Sequence, residues 1–429
     1  MSWADRIRGL RMDLTPLRTS RDFRLLFAAG TVFYLGGMIS YVAIPYQLYT
    51  LTGSNMAVGL IGLVELLPLL VGGLYGGALA DHVDRRKLLV STGLAQALLT
   101  ALLAVNALRE EPAVWPLYVL AFLLAAFSSV QRPSREALLP RTVRHDEIVA
   151  ANALSSFGMQ LGLVLGPTIG GLVLANVGVA WCFALDVVGL VVATGLYAVM
   201  RPYPHREQTT PPSLAAIGEG IRYAAGRSDL LGTYLVDIAA MVLAIPVVLF
   251  PALAADVFDR PELLGLLYTA ETVGAMVATA TSGWAGRVHH HGRAIVVAAA
   301  CYGLFIGLVG MAPTVWVAMA LLACAGAADM ISGIFRSTVW NQTIPETMRG
   351  RLAGIEMLSY SLGPLGGQVR AGFVADAWSV RGSIASGGFA CVVGVTLTAT
   401  FLRDFWRYDE RTDVHAQAER DRRAAASEA

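Results

Sequence analysis

Charge is scarce in this sequence. Of 429 residues, 15% are Asp, Glu, Lys or Arg and 55% are hydrophobic, with a mean hydropathy of +0.59. A soluble chain of this length carries about a quarter charged residues and polar helix faces, so an ordinary soluble domain is excluded. Lysine is confined to Lys87. The four cysteines, Cys182, Cys301, Cys324 and Cys391, fall in or beside apolar stretches, without metal spacing or paired loop positions, so neither disulfide nor zinc is expected. Histidines 289–291 follow one another on a short loop, a poor geometry for chelation, and no metal is expected there. There is no G-x-x-x-x-G-K-[ST] loop for direct nucleotide drive. Nor does any zinc spacing or nucleophile elbow mark an enzyme. The expectation is a protein with no catalytic centre, no cofactor and no nucleic-acid partner.

What the chain has instead is apolar runs of about 20 residues, enough to cross about 30 Å of hydrocarbon. Twelve transmembrane helices are expected, near 23–49, 56–80, 88–108, 114–138, 150–175, 180–200, 231–254, 263–286, 294–312, 314–335, 352–376 and 383–402. Residues 1–22 lack an early apolar core and a small-residue cleavage site, and read as a basic cytoplasmic arm rather than a cleavable signal. The net charge of +1 conceals an asymmetry. With the amino terminus in the cytoplasm, nearly every arginine falls in a cytoplasmic segment. Arg109, Arg260 and Arg381 fall in outside loops, and Arg370 lies within a span. A multi-pass protein of the cell (inner) membrane is expected, monomeric in the lipid bilayer, with both termini cytoplasmic.

The longest polar interruption, within 201–227, divides the spans six and six. The expected organisation is an arm at 1–22, bundles at 23–200 and 228–402, a linker at 201–227 and a cytoplasmic tail at 403–429. The halves repeat each other in order. "LPRTVR" at 139–144 returns as "IPETMR" at 344–349, and "AIP" at 43–45 returns at 244–246. Gly59 and Glu65 are spaced like Gly265 and Glu271, and "GPTIGG" at 166–171 is echoed by "GPLGG" at 363–367. An even number of spans per half makes the repeat parallel, with a pseudo-two-fold axis along the membrane normal, as in transporters that rock two bundles about a central site.

Between the second and third spans stands "GALADHVDRRKLL", beginning at Gly77. It resembles the loop signature of the major facilitator superfamily, departing from it at His82 and Asp84. A degenerate copy, "GWAGRVHHHGR" at 283–293, occupies the matching loop of the second half. The resemblance covers nearly the whole chain and implies the major facilitator fold. It also implies a conformational latch in which Asp81, with Arg85 and Arg86, meets neighbouring helix ends and favours the outward-facing state. The same basic residues also enforce topology.

In the fifth span, Gly162, Gly166, Pro167, Gly170 and Gly171 match the G-x-x-x-G-P-x-x-G-G pattern of antiporter branches. Gly162, Gly166 and Gly170 share a face and admit a close neighbour, whichever direction the cargo moves. Stretches such as "RPSREALLPRTV" and "LVDIAAMVLAIP" are similar to the drug and siderophore efflux branch, which includes enterobactin exporters and macrolide efflux proteins. One departure matters: the fourth span has no arginine before Arg132, so proton coupling through a mid-span arginine is not implied.

Each charge inside a span is a functional candidate by default. Glu65, Asp237 and Glu271 have no base nearby in their own spans and are candidates for proton coupling; hydrogen-bonded structural carboxyls are the alternative. Asp186 is placed toward the outer surface. Asp329, Arg336, Glu356 and Arg370 form an expected buried charge cluster, functional or simply neutralising within the packing. Phe33, Tyr34, Tyr41, Tyr46 and Tyr268 are possible cavity-lining aromatics, while Trp181 and Trp340 read equally as interfacial belts. The function expected is export of a small amphipathic molecule, a drug or siderophore-like compound, in exchange for protons. An importer, a facilitator or a transport-dead sensor of the same fold is the alternative.

Overall fold

The computed structural model describes residues 13–82, 84–203 and 214–428. Side chains at 73–82, 214–217, 220–221, 346–347, 349–351, 353–361 and 423–428 lie outside the described residues. Twelve long helices carry the described fold: α1 (Arg21–Thr52), α2 (Asn55–His82), α3 (Arg85–Ala107), α4 (Trp115–Thr142), α5 (Ile148–Asn176) and α6 (Val179–Ala198), then α7 (Ser228–Ala244), α8 (Leu264–Ala280), α9 (His291–Val309), α10 (Val315–Thr343), α11 (Glu346–Ala377) and α12 (Val380–Phe401). Among the described residues, ten stretches are long and apolar enough to span a membrane. The other two expected spans coincide with α4 and α11. Linker and tail are themselves partly helical, at Leu214–Ala225, Arg403–Trp406 and Val414–Glu428.

Close contacts divide the chain into two compact units: residues 1–47 with 71–211, and 48–70 with 212–429. The six-and-six division of the sequence places 48–70 in the first bundle; by contact it belongs to the second. A local reason is visible. Asp376, near the end of α11, accepts hydrogen bonds from the backbone N–H of Asn55 at 2.8 Å and of Met56 at 3.0 Å, and from the Ser54 hydroxyl at 2.6 Å. A carboxylate from α11 thus caps the first turn of α2, where unpaired N–H groups and the helix dipole favour negative charge. Further along α2, a Cβ on Gly59 or Gly62 would stand 2.7 Å from a backbone carbonyl of α11.

The two units are built alike internally. In the first, α5 lays a glycine face on α1: a Cβ on Gly162 would come within 2.7 Å of Tyr34 Cβ, and one on Gly166 within 2.4 Å of Met38 Cβ. In the second, Gly363 and Gly367 of α11 meet Met241 of α7 in the same manner. Gly72 of α2 abuts Ser129 of α4, as Gly274 and Gly326 bring α8 and α10 together. Gly93 joins α3 to α6, and Gly303 joins α9 to α12. Backbones this close exclude any side chain, and that is how small residues assemble helices in lipid.

The repeated "AIP" folds in two ways. Pro45 sits inside the continuous α1, whereas α7 stops at Ala244 and Ile245 turns extended, with ψ 117°. The span expected to run unbroken to 254 resumes after this break as short helical segments, 3₁₀ at Val247–Leu249, α at Phe250–Ala252 and π at Leu253–Val257. An extended residue before proline relieves its steric clash. The Val242 carbonyl would normally accept from the N–H at position 246, but proline has none. The Arg370 guanidinium supplies the missing donor, its Nε lying 3.1 Å from the Val242 oxygen.

Candidate functional site

In the second unit, three helices bring charge to one place and a fourth adds a tyrosine hydroxyl. Asp237 of α7 is completely buried and paired with Arg336 of α10, which is also buried. The other guanidinium arm of Arg336 lies 3.7 Å from Asp329, two turns earlier on α10. Glu271 of α8 interacts electrostatically with Asp329. The hydroxyl of buried Tyr302, on α9, lies in the field of Glu271, Asp329 and Asp237 together. Two carboxylates therefore share one guanidinium, with Glu271 in the field of the second, in a low-dielectric setting where the pairing of each charge decides its cost.

This arrangement corrects two expectations. Asp237 is not an isolated carboxylate, because its base comes from α10 rather than from its own span. Arg370 does not join the Asp329–Arg336 group either. It caps Val242, and no carboxylate lies within ion-pair distance of it among the described residues. The Glu356 side chain lies outside the described residues. Glu65, half-buried on α2, has no ion-pair or hydrogen-bond partner among the described residues.

The first unit holds a different polar site. Asp186 is buried at 3% exposure, accepts the Ser40 hydroxyl of α1 and presses against Gly36. Further along, the Arg135 guanidinium of α4 sits 4.5 Å from the Tyr34 ring centre and 5.7 Å from that of Phe33. Its Nη2 donates to the Tyr34 hydroxyl at 2.5 Å, and Tyr197 also takes a hydrogen bond from it. Tyr34 and Arg135 line a cavity of about 390 Å³ with Thr31, Asn152, Ser155 and Ser156. Arg135 stood within "RPSREALLPRTV" in the sequence. Nothing in its local sequence sets it apart, because its aromatic partners stand on α1.

The other aromatics scatter. Tyr41 is exposed and Tyr46 half-buried, while Tyr268 packs edge-on against Phe250 at 5.0 Å inside the core. Trp340 is buried, stacked on Tyr234 at 5.3 Å with its indole N–H on Thr233 at 2.8 Å, so it is no interfacial belt residue. Trp181 is 58% exposed.

Around the signature loop, the Asp81 side chain lies outside the described residues. Arg85 donates to the Ala137 carbonyl at 3.2 Å, near the end of α4, and Arg86 donates to the Ala198 carbonyl that closes α6. Both arginines thus meet negative helix ends. Asp84, the departure from the family pattern, accepts from the backbone N–H of Arg86 at 2.9 Å and caps α3.

The matching loop of the second unit carries the histidine run, and it grips the tail. His289 Nδ1 lies 2.8 Å and His291 Nε2 3.6 Å from Glu410, and His290 stands 3.3 Å from Asp409. Gln342 donates to Glu410 at 2.7 Å, and Arg411 to Asp409 at 2.6 Å. Burial alone would raise the Glu410 carboxyl, but the hydrogen bonds from His289 and Gln342 outweigh it and hold the group below its ordinary value. Asp409 is held well below the usual carboxylate range by the side chain and backbone N–H of Arg411.

The sequence model of a family described as transmembrane secretion effectors matches residues 12–420. The enterobactin exporter EntS of Shigella flexneri is 29% identical over 387 residues, spanning 90% of this chain and 93% of the relative. The exporter of the same name from Citrobacter koseri is 29% identical over 408 residues, or 94% and 97%. Among solved structures, a bacterial homologue of the human lysosomal transporter Spinster, inward-facing and unoccupied, matches 90% of this chain and 95% of its own at 14% identity, with a TM-score of 0.67. The nucleoside transporter NupG matches 90% and 98% at 11% identity, with a TM-score of 0.68. At such identities the two structures bear on the fold alone.

Proposed function

Because the chain belongs to the transmembrane secretion effectors of the major facilitator superfamily, and is a membrane transporter rather than an enzyme, we propose that it exports a small amphipathic compound in exchange for protons. The cargo is siderophore-like or drug-like, in keeping with the enterobactin exporters it resembles. Transport proceeds by alternating access in a monomer with both termini in the cytoplasm, and Asp81, Arg85 and Arg86 latch one of its states.

The observation that carries proton exchange is the shared guanidinium of the second unit. Arg336 holds Asp237 closely and Asp329 at 3.7 Å, while Glu271 faces Asp329. A proton arriving on Glu271 or Asp329 relieves their mutual repulsion; its departure restores that repulsion and the pull of Asp329 on Arg336. Because the four groups stand on α7, α8 and α10, a change in protonation alters how those helices hold together. Glu271 becomes the first candidate for the proton carrier, Glu65 the second, and Asp237 the residue that anchors Arg336.

Proteoliposomes with an imposed pH gradient test this, using enterobactin as the siderophore probe and ethidium as the drug-like one. Flux of either probe driven by the gradient is expected in the wild type. Glu271→Gln is expected to lose at least about tenfold of that flux while retaining downhill exchange, since the amide keeps the volume and loses only the titration. Full gradient-driven flux in Glu271→Gln and in Glu65→Gln would remove both from the coupling site.

A further inference from the structure

The cavity of the first unit contains chemistry that proton exchange does not use. Arg135 is half-buried, and no carboxylate lies within 4 Å of its guanidinium among the described residues. Two phenol hydroxyls take two of its five N–H donors, and the rest have no partner among the described residues. A neutral partner does not offset a cation withdrawn from water, so the remaining charge favours an anion. The one acid on the wall, Glu136, is already paired with Arg132 at 3.0 Å, both largely exposed, and the wall keeps one net positive charge.

The surroundings restrict the shape of that anion. Phe33 and Tyr34 pack edge to face, their centroids 6.0 Å apart, and both flank the guanidinium. The hydroxyls of Ser155 and Ser156 on α5 make no hydrogen bond among the described residues and stand on the same wall. Leu26, Phe27 and Met159 supply apolar area. A volume of about 390 Å³ suits a substituted aromatic ring, at the small end of ligand sites. Rings, a planar cation and two free hydroxyls together match a flat group that carries an acidic oxygen beside a second polar one.

We propose that this cavity is a cargo subsite for an aromatic anion, an aryl carboxylate or phenolate, with Arg135 as its anchor. The proposal rests on the export reading for its purpose, but its binding chemistry is separable from any flux. Arg135 holds the acidic oxygen through charge-assisted hydrogen bonds, the neighbouring aromatics hold the ring, and Ser155 and Ser156 receive the second polar group. A larger cargo would present such a group as one of its ends.

The test is a saturation-transfer NMR titration on the full-length protein in nanodiscs, comparing salicylate with its neutral amide, salicylamide. Wild-type protein is expected to bind salicylate, and Arg135→Gln to weaken it by about tenfold or more, the scale of one lost charge-assisted hydrogen bond, while salicylamide changes by less than about twofold. Arg135→Lys keeps the charge without the planar fork and is expected to fall between the two. It carries the test should the glutamine variant fail to fold. No salicylate binding by the wild type, equal loss for both probes, or unchanged salicylate binding in both variants overturns the subsite. Gradient-driven ethidium flux by wild-type protein, measured separately, shows whether the export reading fails with it or stands alone.

Discussion

Two arginines of the second unit illustrate how differently the same side chain serves. Arg336 is placed among acids and Arg370 against a carbonyl that proline left without a donor. From their sequence positions both are charges in or beside apolar spans; only the break of α7 at Pro246 tells them apart. The account of Arg370 predicts coupling between two positions far apart in the chain. Arg370→Leu leaves the Val242 carbonyl unpaired and is expected to cost about 1–3 kcal/mol. In a Pro246→Ala background that cost should shrink, because the alanine N–H can reach the same carbonyl. Thermal melts of the four proteins in detergent read the coupling directly. Strictly additive shifts would mean that Arg370 does not substitute for the missing helix bond.

At the scale of elements, contact is made through glycine faces and secured at helix ends by single charged groups. Asp376 caps α2, Asp84 caps α3, and Arg85 and Arg86 close α4 and α6. The clasp between the histidine loop and the tail belongs to this class, and its pH dependence has a definite sign. Glu410 is held below its ordinary value, so its contribution is present above the usual carboxylate range, near about 4.3 for glutamate, and is lost as pH falls through the depressed value. Burial holds His291 below the ordinary imidazole value and keeps it neutral, so acidification toward pH 6 should not open the clasp. A spin label at Ala418, in a background cleared of the native cysteines, is expected to stay immobile from pH 8 to about pH 5 and to loosen below about pH 4. Glu410→Gln should raise its mobility already at neutral pH. Release of the label near pH 6 in the wild type would contradict the assignment.

For the whole molecule, the arginine asymmetry predicts an orientation. A carboxyl-terminal tag should resist protease in intact spheroplasts and be cleaved in inverted vesicles, since flanking positive charge stays on the cytoplasmic side. Cleavage in spheroplasts would reverse the proposed topology and the direction assigned to the latch. Within each six-helix half, glycine contacts join the first helix to the fifth, the second to the fourth and the third to the sixth, so the internal repeat of the sequence has a counterpart in how each half is assembled.

Hydrophobic periodicity alone sufficed for the helices, because in hydrocarbon every backbone polar group must be satisfied within its own segment. Span count follows from that constraint and the glycine face of α5 from its spacing along one helix, and each can be read locally along the chain. Partnerships could not be read this way. Whether Asp237 had a base depended on a residue of α10 about a hundred positions later, and whether Pro45 or Pro246 would break its helix depended on which neighbour stood beside it. Arg135 lies near the end of its span with no local sign of a role, and only the tertiary structure brings Tyr34 and Phe33 of α1 to it. Local sequence determines a helix in lipid because its hydrogen bonds are local; a buried charge is settled by whatever distant helix the tertiary structure brings against it.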